Sequence, residues 1–149
     1  MNVQPYLIGD GWIETRDGDP SGRAIFDRHY SRTRYADGRK PKLYVGPGFK
    51  LVLVHASGRA LFVWRKFIPM DGQTGVNCAV FRNEGAGEAS DLILSAEGPA
   101  RDRWPGERFY TYVNPRQVRG NPPGNCFLRA GWRRCGETKG GLHILEKLP

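Results

Sequence analysis

The chain has few of the residues that build disulfide-bonded or metal-bound scaffolds. Its 149 residues include three cysteines and three histidines. Cys78, Cys126 and Cys135 form no Cys-x-x-Cys pair, and no set of cysteines and histidines has the spacing of zinc ligands. We therefore predict reduced thiols, as in a cytoplasmic protein, and no metal site.

Long apolar segments are also lacking. No stretch approaches the roughly 18 consecutive apolar residues of a transmembrane helix. The first residues, MNVQPYLIGDGWIE, show no basic segment followed by an apolar run, so we expect neither a signal peptide nor a membrane partner. A hydrophobic content of 39% and a charged content of 26% predict one globular domain over residues 1–149.

Acidic residues are outnumbered, 15 against 23 basic ones, which gives a net charge of +8. The excess lies in residues 28–42 and 99–149, where aromatic side chains are interspersed. Phosphate contact and base stacking need such a surface, so we predict DNA binding, with surface charge for solubility or for an acidic cofactor as alternatives. The candidate nucleic-acid-binding residues are Arg32, Arg34, Arg39, Lys40, Arg116 and Arg119.

Hydrophobic periodicity and turn residues predict a mixed α/β order. We expect strands at residues 6–15, 43–45, 49–55, 59–67, 76–81, 108–113, 132–138 and 142–148. We expect helices at residues 21–30, from Glu88 or Ser90 to a stop at Gly98-Pro99, and at residues 125–131. Tight turns at Ser57-Gly58 and Lys139-Gly140-Gly141 indicate antiparallel neighbours.

The most informative segment is GVNCAVFRNEGAG, residues 75–87, where an apolar strand leads through Arg82-x-x-Gly85-x-Gly87 into a helix. Glycines let a backbone approach a ligand and adopt positive φ, and a helix start points unpaired N–H groups at an anion. The segment therefore predicts a phosphate-binding turn. An ordinary strand–turn–helix corner, whose glycines only make the turn, is the alternative.

The order of elements, together with this turn and the ending CFLRAGWRRCGETKGGLHILEK, resembles the GNAT superfamily. The resemblance implies an α+β fold with a central, mostly antiparallel twisted sheet flanked by helices and a C-terminal hairpin. It also implies a pyrophosphate-binding turn of the pattern Arg/Gln-x-x-Gly-x-Gly/Ala and, as cofactor, acyl-CoA or a related acyl donor. The residues implied in donor binding are Phe81, Arg82, Asn83, Gly85, Gly87 and Ser90.

A narrower resemblance, to the phage Mom family, rests on residues 29–31 (His-Tyr-Ser), Arg82, the Asn/Glu/Ser-containing start of the following helix, and the late strand before Gly131-Trp132. It implies a bacteriophage-type enzyme, active in the bacterial cytoplasm, that attaches a carbamoylmethyl group to the exocyclic amine of adenine in DNA. Where these proteins tend to carry Asp after the late strand, this chain has Asn114, so a general base at that place is missing.

Transfer of a group to an amine needs a base and stabilisation of charge on the donor. His29 is the candidate base because its ordinary pKa suits neutral pH, and Tyr30 and Ser31 could orient its ring. Tyr112 is a candidate proton donor and Asn114 a candidate hydrogen-bond donor to a carbonyl. The alternatives are a histidine at a helix C-terminus, a core tyrosine and an Asn-Pro turn.

Three functions follow as hypotheses. The first is a Mom-like transferase that modifies a DNA base, for which a target base in duplex DNA must leave the stack. The second is an acyl-CoA-dependent N-acetyltransferase that acts on a small amine or a protein. The third is a non-catalytic module that binds nucleic acid by charge and stacking, with a purely structural glycine turn.

Overall fold

The computed structural model describes residues 11–28, 43, 45–118 and 122–149, and the backbone of residues 6–8. In these residues it shows an α+β fold with eight strands and three helices. In chain order the elements are β1 (Tyr6–Ile8), β2 (Trp12–Thr15), α1 (Pro20–Asp27), β3 (Phe49–His55), β4 (Ala60–Lys66), β5 (Val76–Asn83), α2 (Ala89–Arg103), β6 (Phe109–Val113), α3 (Asn125–Arg129), β7 (Arg133–Glu137) and β8 (His143–Lys147).

The strands form one open sheet in the order β1-β2-β3-β4-β5-β6-β8-β7. All neighbours are antiparallel except β5 and β6, which are parallel because α2 carries the chain across between them. β5 and β6 pair only from Val76 opposite Phe109 to Cys78 opposite Thr111. Beyond that point the two strands are no longer paired, and the sheet forks.

Alternation of side chains along the strands produces two apolar layers, one on each face of the sheet. The larger layer, under α2 and α3, contains Trp64, Phe109 and Trp132, with 4.6 Å between the ring centroids of Trp64 and Phe109. The smaller layer holds Ile25 and Phe26 of α1 against β3, β4 and β5. Each large buried side chain contributes roughly 1.5–3 kcal/mol, so both faces stabilise the sheet.

The predicted end of α2 at Gly98-Pro99 is wrong, since α2 continues through Pro99 to Arg103. Proline removes a helix hydrogen bond and costs about 3 kcal/mol in a helix interior. Core contacts on both sides of Pro99 offset this cost. Ala96 and Ala100 are fully buried, and the carbonyl of Ala96 accepts a hydrogen bond of 3.0 Å from the indole of Trp64.

Two predicted strands also differ from the structure. Within residues 6–15 the structure has two antiparallel strands, β1 and β2, in place of one. Gly11, just before β2, has a φ of +85°, which suits glycine, and a Cβ built on it would lie 2.8 Å from His55 Nε2. Leu43 and Val45 are not in a strand, because the backbone N–H of Val45 donates to Asp17.

The other boundaries are close to the predicted ones. The strand at residues 49–55 is confirmed as β3, and the predicted antiparallel pairing of the hairpins is confirmed. α1 is a residue longer at its start and ends at Asp27, and α3 ends at Arg129. None of the helices in the described part of the chain is long and apolar enough to cross a membrane.

Candidate functional site

A cavity of about 300 Å³ lies where β5 and β6 separate. Cys78 and Thr111 are the last residues at which β5 and β6 pair, and there the hydroxyl of Thr111 donates to the carbonyl oxygen of Cys78 over 2.9 Å. Just beyond it β5 carries one extra residue, Ala79, relative to β4, and such a bulge bends a strand. The fork and the bulge together open the sheet at the carboxyl ends of β5 and β6, which are the one parallel pair among the described strands.

The inner wall of the cavity is apolar and its rim is charged. Phe81 of β5 and Phe127 of α3 line it, with their ring centroids 6.1 Å apart. Glu88, which precedes α2, and Arg129, at the end of α3, line it too and form an exposed ion pair of 3.7 Å. The sequence did not single out Arg129, because nothing in its surroundings shows that α3 covers the fork.

The thiols at the cavity are neutral. Cys78 is buried at the fork and Cys126 of α3 is half-buried, and both line the cavity. Burial raises the pKa of each thiol. A neutral thiol is a poor nucleophile, so these residues act as walls of the cavity.

Beside the cavity, the turn after β5 is satisfied by its own asparagine. The side-chain oxygen of Asn83 accepts hydrogen bonds from the backbone N–H groups of Gly85 (3.1 Å) and Ala86 (2.9 Å), and its Nδ2 donates to the carbonyl oxygen of Gly87 (2.8 Å). Gly85 has a φ of +99°, which glycine adopts easily. Two amides predicted to converge on an anion therefore donate to Asn83, and an anion at this turn must replace that oxygen.

The space over the turn is open. A Cβ built on Gly87 would meet no heavy atom within 4 Å, and one built on Gly85 would meet only a guanidinium nitrogen of Arg59 at 3.8 Å. The glycines here serve the backbone conformation, and they leave room for a ligand above it.

A carboxylate lies between two arginines at the same turn. Glu84 receives two hydrogen bonds from Arg28 (2.6 and 2.7 Å) and one from Arg82 (2.6 Å). Arg28 follows α1, so these bonds tie the end of α1 to the end of β5. The hydrogen bonds from Arg28, and then the one from Arg82, lower the pKa of Glu84 to about 2. Glu84 is thus ionised and takes the place that an external anion would have between the two guanidinium groups.

The remaining described site residues lie in two places, beside the cavity and in the turn after β6. Ser90 lies in the first turn of α2, half-buried, and Phe81 lies in the cavity wall. Asn114 is bonded within its own turn, since its Nδ2 donates to Gln117 and its Oδ1 accepts from the N–H of Arg116, both over 3.0 Å. Arg116 is exposed.

Tyr112 lines the cavity, and its hydroxyl donates to both carboxylate oxygens of Asp71, at 2.8 and 2.9 Å. Burial, and then the bond to Asp71, raise the pKa of Tyr112. Its hydroxyl is therefore neutral at physiological pH, and its proton is directed at Asp71. Asp71 was not among the predicted site residues, because it belongs to a loop far from β6 in sequence.

Several predicted site residues lie outside the described residues: His29, Tyr30, Ser31, Arg32, Arg34, Arg39, Lys40 and Arg119. The proposed base and most of the nucleic-acid-binding set therefore stay predictions. His29 is, however, the next residue in the chain after Arg28, which contacts Glu84 at the site.

In the described ranges, no group of three or more histidine, cysteine or acidic side chains is placed to hold a metal ion. No family model, curated protein or solved structure matches this chain. The fold and the geometry of the fork are consequently the basis for a functional proposal.

Proposed function

We propose that the protein is a GNAT-like transferase that modifies an exocyclic amine of a DNA base, most simply adenine, as Mom proteins do. The observation that carries this proposal is the cavity at the fork of β5 and β6, next to the turn from Arg82 to Gly87. In open sheets, ligands bind at the carboxyl ends of parallel strands where the connections change direction. The cavity shares the first of these features, since it lies at the carboxyl ends of β5 and β6, which are parallel.

The order of the elements supports the same proposal. A helix, antiparallel strands, a glycine-containing turn into a central helix, a further strand, a short helix and a closing hairpin follow one another along the chain. The last hairpin inserts β8 between β6 and β7 in the sheet. This succession is the one on which the resemblance to the GNAT superfamily rests.

The donor, acyl-CoA or a related molecule, would occupy the fork. Its apolar chain would lie between Phe81 and Phe127, and its phosphates would lie over the turn, where they replace the oxygens of Asn83 and Glu84. A bond forms between the exocyclic nitrogen and a carbon of the donor. The bond from that carbon to the leaving group of the donor breaks, and the nitrogen gives its proton to a base, for which His29 is the candidate.

The net positive charge of the chain supports DNA as the acceptor of the transferred group. A net charge of +8 on 149 residues favours a polyanion, since each neutralised phosphate releases counterions. A base in duplex DNA must be turned out of the stack to reach a cavity of this kind. Arg116, exposed after β6, is the described member of the predicted contact set.

Mass spectrometry of nucleosides from cells that express the protein tests the proposal. We expect an enlarged nucleoside with the wild type and none with His29→Ala. With Arg82→Ala we expect a loss of at least about tenfold, because a charged donor contact is removed. Arg134→Ala, which removes an exposed arginine paired with Glu137 on β7, is the matched control and keeps full modification. Unmodified DNA together with acetylation of small amines by the pure protein would favour the acetyltransferase instead.

One observation favours a second candidate, the non-catalytic nucleic-acid-binding module. Asn83 and Glu84 satisfy the turn internally, as a purely structural corner would. The two candidates differ in their dependence on His29. A binding module keeps all of its function in His29→Ala, whereas a transferase keeps polynucleotide binding and loses turnover.

A further inference from the structure

The loop between β4 and β5 exposes two large apolar side chains at one turn. Ile68 is 89% exposed and Met70 is fully exposed, with Pro69 between them. Phe49, 73% exposed, starts β3 opposite Lys66 at the base of the same loop. Apolar side chains gathered at one exposed place mark a contact surface more often than isolated ones do.

Polar contacts fix the backbone of this loop. The N–H of Gly72 donates to the carbonyl oxygen of Pro69 over 3.0 Å and closes the turn. Arg108, which precedes β6, donates to the carbonyl oxygen of Thr74 (2.8 Å) and to the side chain of Gln73 (3.1 Å). Ile68 and Met70 are therefore presented on a fixed support.

The same turn is joined to the wall of the cavity. Asp71, the residue after Met70, accepts the hydroxyl of Tyr112, and Tyr112 lines the fork cavity. A cation lies beside the loop as well. Arg65 has its guanidinium 3.5 Å from the ring centroid of Phe67 and has no carboxylate within ion-pair distance among the described residues.

We propose that Ile68 and Met70 form a wedge that enters the base stack of duplex DNA and helps to release the target base toward the cavity. This inference rests on the proposed function. Isoleucine, methionine and proline are the kinds of side chain that proteins insert between base steps, where they unstack and kink the duplex. A partner with an anionic exterior and a stacked apolar interior suits a chain of net charge +8 that presents an apolar turn.

Duplex DNA that carries 2-aminopurine at successive positions tests the wedge, because the fluorescence of this base rises when it is unstacked. We expect the wild type to raise the fluorescence. The double variant I68A/M70A should lower the rise about tenfold, while its affinity for single-stranded DNA stays within about twofold. L94A/L148A is the matched control, since it removes two exposed apolar side chains, on α2 and after β8, and it should behave as the wild type.

Two results would overturn the wedge and leave DNA binding intact: equal unstacking by I68A/M70A and the wild type, or duplex binding by the wild type without a rise in fluorescence. If sedimentation shows that the wild type is a dimer and I68A/M70A a monomer, the turn contacts a second copy of the chain, and the wedge is again overturned. A wild type that binds neither duplex nor single strands contradicts the proposed function itself.

Discussion

Two carboxylates of this protein, Glu97 and Glu84, are each paired with two basic side chains, but they differ in their exposure to water. Glu97 of α2 is fully buried. Its Oε1 accepts from Arg101 (2.6 Å) and forms an ion pair with Lys147 (2.8 Å), and its Oε2 accepts from the indole of Trp132 (3.0 Å). Glu84, after β5, also binds two cations, but 21% of its side chain is exposed. One carboxylate lies in the core and the other borders the candidate site.

The difference in burial decides what each cluster can do. Water cannot replace a lost partner of Glu97, so this carboxylate fixes α2 to β8 and to the aromatic core through Trp132. At Glu84 water screens the charges, and a second anion can compete for the same arginines. The cluster at Glu97 is therefore a fixed support, whereas an external anion can displace Glu84 from its arginines at the turn after β5.

The largest expected effect is that of Glu97→Ala. It leaves the buried indole of Trp132 without its acceptor, and it removes the carboxylate beside Lys147, whose ammonium keeps the carbonyl oxygen of Ala130 as acceptor. A buried donor left without a partner costs about 1–3 kcal/mol. Urea unfolding measures this loss in the free energy of unfolding.

Glu137→Ala is the matched control for Glu97→Ala. It removes an exposed pair with Arg134 and should change the free energy of unfolding by less than about 1 kcal/mol. Equal losses in the two variants would contradict the distinction between a buried and an exposed cluster.

A smaller effect, dependent on pH, is expected for Glu84→Gln. The arginines lower the pKa of Glu84 from 4.5 to about 2, so its ionised form stabilises the folded state above about pH 4.5, and this contribution is lost as the pH falls through about 2. At neutral pH the variant should lose at most about 1 kcal/mol.

The measurement is urea unfolding of the wild type and of Glu84→Gln at several pH values between 7 and 2. The stability difference between the two proteins should shrink toward pH 2. A difference that stays constant over this range would show that Arg28 and Arg82 do not hold an ionised Glu84.

Most of the strands could be predicted from the sequence because their signals are local. The apolar run within residues 49–55 and the turn at Ser57-Gly58 define β3 and its pairing with β4, as the structure shows. The end of α2 could not be predicted in this way. Pro99 is a local stop signal, and the contacts that overcome it come from Trp64, on a strand distant in sequence.

The candidate site was predictable in position and not in detail. A strand, an arginine, two glycines and a helix start mark the place of the turn after β5. That Asn83 occupies the amides of this turn depends on its side-chain rotamer, and that Glu84 joins Arg28 depends on how α1 packs on the sheet. Neither property follows from local spacing.

The central claim is that the fork of β5 and β6 holds the donor, and alkylation of the cysteines in the presence of coenzyme A tests it directly. Cys126 lines the cavity, whereas Cys135 is exposed on β7 and serves as the internal control. Because burial raises the pKa of Cys126, the alkylation is run at alkaline pH, where more of this thiol is ionised. At about ten times its dissociation constant, coenzyme A should slow alkylation of Cys126 about tenfold and leave Cys135 unchanged. An unchanged rate at Cys126, with coenzyme A shown to be bound, would contradict the account.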